Sequence, residues 1–208
     1  MHTYLYLASQ SPRRKELLQQ MGVEYKLLTP DATEDAEALE VHLPDEPSLT
    51  YVRRVTLAKL SAAITRLQVR KLPWAPILCA DTTVSIQIDG LEEILGKPLH
   101  DEDAIRMLQL LSGKTHQVHT AIALQKEVNT APALFISSST VSFEVLSINQ
   151  IHAYVASGEP LGKAGAYGIQ GLAACFIKHI EGSFSGIMGL PVFETAQLIQ
   201  NAVKYKLN

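Results

Sequence analysis

Thr3-Tyr4-Leu5-Tyr6-Leu7-Ala8-Ser9-Gln10-Ser11-Pro12-Arg13-Arg14 runs from a β-prone apolar segment straight into a helix start. Thr3–Ala8 is short, apolar and built of residues that suit a strand. Ser11 can cap a helix N-terminus, and Pro12 suits the first helical position. Leu17, Leu18 and Met21 follow on one apolar helical face, and Gly22 stops the helix. Val23–Leu28 reads as a second strand. Strand, helix and strand in immediate succession predict an α/β protein.

The rest of the chain extends that pattern. Pro47 to Leu67 reads as a helix with Tyr51, Val55, Ala58 and Leu67 among its apolar positions. Ile77–Ile88 reads as a strand, and Asp89-Gly90 is a hairpin turn signal. Asp101-Glu102-Asp103 places acid at a helix N-terminus, and Ser112-Gly113 ends that helix. Thr115–Leu124 and Leu134–Leu146 are β-rich, and Ser147 to Gln150 has the form of a capping box opening a helix that ends at Gly158. Pro191 opens a last helix, with Val192, Ala196, Ile199 and Val203 expected on its buried face. Helices alternate with strands and hairpins also occur, so a mixed sheet flanked by helices is expected.

Composition bounds the function. The chain has 208 residues, 47% of them hydrophobic, and a formal net charge of −3. That balance is globular and argues against a protein basic enough to coat extended nucleic acid. No apolar run approaches the roughly 18–20 residues needed to span a bilayer, and no signal peptide is visible, so a cytoplasmic protein without membrane partners is expected. Cys79 and Cys175 lack metal-ligand spacing and read as buried thiols in a reducing compartment. The small net charge conceals an asymmetry. Residues 31–46 carry seven acids and no Lys or Arg, whereas residues 53–71 carry six bases and no acid. These are either solvated faces or, in part, a metal- and phosphate-binding set.

Four local features can carry chemistry. Arg13 and Arg14 stand in a first helical turn, where the macrodipole opposes cations unless an anion docks on the free N–H groups. Asp81 lies in the apolar strand Leu78–Val84, where a carboxylate is either paired, metal-bound or turned to a solvated face with Thr83 and Ser85. Lys97 sits between Gly96 and Pro98, too little for a P-loop. Eight of the twelve glycines fall between Gly158 and Gly189, around Lys163, Tyr167 and Gln170, whose amide can read a base edge. The histidines form no metal motif; His116 and His119, three apart in a strand, fall on opposite faces.

Read together, these segments resemble the Maf family, the septum-formation-inhibitor-like nucleoside triphosphate pyrophosphatases. The resemblance rests on Leu7–Arg14, Ala80–Val84, Leu95–Pro98, Leu111–His116, Tyr154–Pro160, Lys163–Gly171 and Gly189–Pro191, in family order along nearly the whole chain. It implies a single bilobed α/β domain over residues 1–208, with a twisted mixed sheet and two lobes around a nucleotide cleft. It implies cleavage of a nucleoside triphosphate to the monophosphate and pyrophosphate, with Mg²⁺ or Mn²⁺ as cofactor. Asp81 corresponds to the proton acceptor. Glu34 and Asp81 are expected at the metal, and Ser9, Ser11, Arg14, Lys59 and Lys97 at the phosphates. Arg13, Thr82 and Gln170 correspond to the positions that mark substrate class, here the dTTP/UTP branch. A homodimer is a further family expectation. Rival readings are a non-catalytic nucleotide-binding regulator of cell division and a house-cleaning enzyme acting on modified pyrimidine nucleotides.

Overall fold

The computed structural model describes residues 1–206 except Thr33 and Ala36. The opening segment forms strand β1 (Leu5–Leu7), helix α1 (Pro12–Gln20) and strand β2 (Tyr25–Leu27). Ser11 Oγ accepts the Arg14 N–H as N-cap, and Gly22, at φ +69°, ends the helix where an L side chain would be strained. β1 pairs in parallel with β2 and with strand β3 (Ile77–Ile88), which turns back at Asp89-Gly90 into antiparallel β4 (Leu91–Leu95). Asp89 and Gly90 both have positive φ, as a two-residue hairpin turn requires. Helix α2 spans Ser48–Val69 and helix α3 Asp101–Leu111. Strands β5 (Thr115–Gln125) and β6 (Ala133–Phe143) complete the centre of the sheet.

Beyond them come helix α4 (Ile148–Ala156), strand β7 (Ile177–Glu181), the short helix α5 (Phe184–Met188) and helix α6 (Val192–Ile199). The order across the seven-stranded mixed sheet is β2-β1-β3-β5-β6-β7, with β4 beside β3. The expected capping box forms: Gln150 N–H donates to Ser147 Oγ, and Gln150 Oε1 accepts the Ser147 N–H. The chain divides into two compact units. The first comprises residues 1–81, 120–137 and 189–208, and the second residues 82–119 and 138–188. β3, β5 and β6 each contribute one end to each unit.

In the first unit α2 lays Leu60, Ala63 and Leu67 on Tyr6, Ile77, Cys79 and Ala123. The acids and bases that the sequence separates are matched along α2 in reverse order. Asp31 meets Arg70, Glu34 meets Arg66, Glu40 meets Lys59 and Glu46 meets Arg54, at 2.9, 2.7, 2.7 and 2.7 Å. Arg66 is the most buried of these bases, with its side chain 6% exposed. Its guanidinium grips both Glu34 oxygens and donates through Nη1 to the Leu28 carbonyl at 2.9 Å. That grip holds the Glu34 carboxyl below its ordinary range, and Arg54 does the same for Glu46. Arg66→Met would leave the Leu28 carbonyl without its donor and Glu34 without its partner. A loss of about 1–3 kcal/mol is expected, read as a lower urea midpoint at unchanged slope.

Two expectations need correction, and one open alternative falls away. Cys175 is exposed, because the 3₁₀ turn Leu172–Phe176 buries Ala173 and Phe176 instead. On α6 the buried side chains are Thr195, Leu198 and Ile199. The helix stops at Ile199, so Val203 is buried outside the helical period, where it forms a parallel β-bridge with His2. Asp81, Thr83 and Ser85 do not mark a solvated face, since all three are buried.

Candidate active site

Ser9 and Ser11 bracket the turn between β1 and α1. Ser9 Oγ accepts the Ser11 N–H at 3.2 Å and Arg14 Nη1 at 3.1 Å, while Arg14 Nε donates to the Gly189 carbonyl at 2.8 Å. Arg14 is thereby fixed across the entry to α1. Desolvation presses its guanidinium below the ordinary value, and the negative charges of Asp81 and Glu40 pull the other way. Arginine remains protonated under any such shift. Arg13 follows Pro12 in the same first turn, so both cations stand at the positive end of the α1 dipole, where an anion is favoured.

Asp81 closes the first unit's part of β3, flanked by the buried Cys79 and Ala80. Its Oδ1 accepts Lys59 Nζ at 2.6 Å, and the same nitrogen donates to Glu40 Oε1 at 2.7 Å. Lys59 therefore lies between two carboxylates, one from a strand and one from a 3₁₀ turn spanning Glu37–Glu40. The Tyr51 hydroxyl donates to the Glu40 carbonyl at 2.9 Å and fixes that turn against α2. Burial, with Asp81 and Glu40 nearby, raises the Tyr51 phenol, so the hydroxyl stays a donor. Beneath them burial pushes the Cys79 thiol up to about 12, which makes it an inert packing group.

Two carboxylate oxygens bearing on one point form the donor set that a hard divalent cation takes together with phosphate oxygens and water. Among the described residues no group of three His, Cys, Asp or Glu side chains converges in that way. The sequence-predicted pair is not the one brought together. Both Glu34 oxygens are engaged by Arg66, and Glu34 also meets Arg70 at 3.4 Å. Glu40, which no motif singled out among the seven loop acids, is the carboxylate that shares Lys59 with Asp81.

In the second unit Thr82 and Val84 share one face of β3. Val84 packs so closely on Gly165 that a Cβ there would lie 2.9 Å from it, and Gly165 has φ +65° besides. The Gly165 N–H donates to the Gly96 carbonyl at 3.0 Å, which ties the glycine-rich segment to the residue before Lys97. Lys97 and Gln170 are both exposed. Under this segment lies an aromatic cluster. Phe143, 0% exposed, meets the rings of His116, Tyr167 and Phe176 at centroid distances of 5.1, 4.9 and 6.2 Å. His116 Nε2 pairs with the Tyr167 hydroxyl at 2.8 Å, and His119 Nδ1 with Ser138 Oγ at 2.8 Å, so both histidines are core residues.

Burial pushes the His116 imidazole down to about 3, so the folded ring is neutral over the physiological range. In the unfolded chain it takes a proton near pH 6.5, at about its reference value. The unfolded state therefore binds more protons below that pH, and stability falls as pH drops from about 6.5 towards the folded value. His116→Gln is expected to make the fall of the urea midpoint between about pH 7 and pH 4 visibly shallower. Parallel curves for variant and parent would contradict it.

The family and sequence comparisons cover nearly the whole chain. The family model described as Maf-like protein matches residues 4–202. The dTTP/UTP pyrophosphatase of Albidiferax ferrireducens is 56% identical over 201 residues, covering 97% of this chain and 98% of the relative. That of Cupriavidus pinatubonensis is 56% identical with the same coverage, and that of a Polaromonas species 53% identical over 96% of each chain. Among solved structures the Staphylococcus aureus Ham1 protein aligns with 68% of the chain at 13% identity and a TM-score of 0.41, too slight a likeness to carry an argument. With matching segments spread from β1 to the end of α6, and relatives more than half identical along their whole length, the chain belongs to the Maf-like protein family.

Proposed function

We propose that this protein hydrolyses dTTP and UTP to the nucleoside monophosphate and pyrophosphate. The observation that carries the reading is the Asp81–Lys59–Glu40 arrangement, whose two carboxylates also act on the Arg14 guanidinium of the Ser9–Arg14 turn. It is supported by relatives named dTTP/UTP pyrophosphatase at 53–56% identity. A nucleoside triphosphate brings about four negative charges, so cations must meet it before water can reach phosphorus. Arg13, Arg14, Lys59 and Lys97 are assigned to the phosphates, together with the hydroxyls of Ser9 and Ser11.

Asp81 accepts the proton of the attacking water as its oxygen bonds to the α-phosphorus and the bond to the β-phosphate oxygen breaks. The electron pair of that bond leaves with pyrophosphate. Asp81 and Glu40 would hold Mg²⁺ or Mn²⁺, which when bound neutralises phosphate charge and orients water. Glu34 is assigned to fastening the acidic loop on Arg66. Thr82, Arg13 and Gln170 are assigned to substrate choice, Gln170 by pairing its amide with a pyrimidine edge. No helix among the described residues is long and apolar enough to cross a membrane, and a cytoplasmic site, where both thiols stay reduced, fits the substrate.

Pyrophosphate release from dTTP, UTP, CTP, GTP, ATP and 5-substituted pyrimidine triphosphates, with Mg²⁺ or Mn²⁺, tests the reading. A preference of about tenfold or more in kcat/KM for dTTP and UTP over CTP and the purines is expected. Binding without release from any of them would favour the non-catalytic regulator. Faster turnover of a 5-substituted nucleotide would make pool cleaning the main role.

A further inference from the structure

Gln170 occupies a tight turn. The Gly171 N–H donates to the Gly168 carbonyl at 3.0 Å, which closes the turn and leaves Gln170 exposed beside the buried Ile169. An amide can discriminate between base edges only where its backbone is held within a fraction of an ångström. Exposed glycine-flanked turns are ordinarily poor at that.

Here one side chain holds both flanks of the turn. Glu159 Oε2 accepts the Leu172 N–H at 2.9 Å, on the C-terminal side of Gln170. Glu159 Oε1 accepts the Tyr154 hydroxyl at 2.9 Å, and that hydroxyl in turn accepts the Gly168 N–H at 3.3 Å, on the N-terminal side. The Tyr154 ring is itself fixed edge-on against Phe176, with centroids 5.2 Å apart. At Gly171 a Cβ would fall 2.3 Å from Glu159 Oε1, so the turn backbone lies directly on the carboxylate. Lys163 donates to the Glu159 carbonyl, and a Cβ at Gly168 would lie 3.0 Å from the Lys163 stem and 3.6 Å from Gln170 Oε1.

We infer that Glu159 is a positioning residue for base selection, holding the Gln170 amide through Leu172 on one side and through Tyr154 and Gly168 on the other. The inference rests on the role proposed for Gln170. A neutral amide in place of Glu159 keeps the volume but has one acceptor oxygen: facing Tyr154 it sets its NH2 against the Leu172 N–H, and facing Leu172 it reverses the Tyr154 bond and competes with the Gly168 N–H for that hydroxyl.

Steady-state kinetics on dTTP, UTP and CTP with Glu159→Gln, Tyr154→Phe and Gln170→Ala test it. For Glu159→Gln the KM for dTTP and UTP is expected to rise about tenfold with kcat little changed, and the dTTP-over-CTP ratio of kcat/KM to fall about tenfold. Tyr154→Phe keeps the ring against Phe176 and is expected to move the same ratio in the same direction, so it decides the matter if Glu159→Gln does not fold. A role confined to stability would scale all three nucleotides equally. If Gln170→Ala collapses the preference while Glu159→Gln and Tyr154→Phe leave it intact, the inference is overturned and the reading of Gln170 stands. If Gln170→Ala leaves the preference unchanged, the reading of Gln170 fails and the inference falls with it.

Discussion

Asp81→Asn is expected to lower kcat for pyrophosphate release from dTTP by about 10³-fold or more, within the range that a lost general base accounts for. Asn has the same shape, and its Oδ1 can still accept Lys59 Nζ where the carboxylate does now, at 2.6 Å. The neighbouring strand residues Leu78, Cys79 and Ala80 are 0–2% exposed and hold the backbone in place. What disappears is a group able to take a proton from water, together with half of the negative charge facing Lys59. Nucleotide affinity is assigned to Arg13, Arg14, Lys59 and Lys97, none of which is altered. A dissociation constant for dTTP within about threefold of the parent is therefore expected, measured by calorimetry under non-turnover conditions. A kcat near the parent value would remove Asp81 from the mechanism. An intact kcat with lost affinity would make it a binding residue instead.

Phe143→Ala carries the largest expected effect on stability. The ring is fully buried, at the end of β6, and meets His116, Tyr167 and Phe176 edge-on. Those neighbours are large and mutually braced: His116 is bonded to Tyr167, and Tyr154 is packed on Phe176. They cannot collapse into the vacated space, so both the transfer loss and the cavity penalty apply. A cost of about 3–5 kcal/mol follows. At roughly 2–4 °C per kcal/mol for a chain of this size, the thermal midpoint should drop by about 6–20 °C. A shift below about 2 °C would mean that the cluster repacks. Phe143→Leu, which leaves a smaller cavity, should cost clearly less.

Much of the fold was legible because its signals are local. Ser11-Pro12 starts α1, Gly22 ends it, Asp89-Gly90 makes the hairpin and Ser147–Gln150 forms its box, each through contacts within a few residues. β7 carried no such signal. Ile177–Glu181 is half-exposed and charged, and it is a strand through pairing with β6, a partner more than thirty residues away. On α6 the buried face runs through Thr195, Leu198 and Ile199, and an apolar periodicity passes over Thr195, whose hydroxyl is satisfied within the helix by the Pro191 carbonyl. The site divides in the same way. Asp81 stood out because a carboxylate in an apolar strand needs a partner. Glu40 did not, because seven acids in one loop look alike until the order of their partners along α2 is known. The charge asymmetry was visible, but its meaning lies in pairings 8 to 39 residues apart.

The division of the strands has a consequence for heredity. Asp81 and Thr82 are joined by one peptide bond yet belong to different units, and the chain passes from one unit to the other again after His119, Ser137 and Met188. Neither unit is a continuous stretch of gene. A single recombination crossover between two such genes can never exchange one unit whole, because every breakpoint leaves at least one unit with segments from both parents. A unit can pass whole from one such gene to another only by several crossovers at once, at the boundaries after Asp81, His119, Ser137 and Met188.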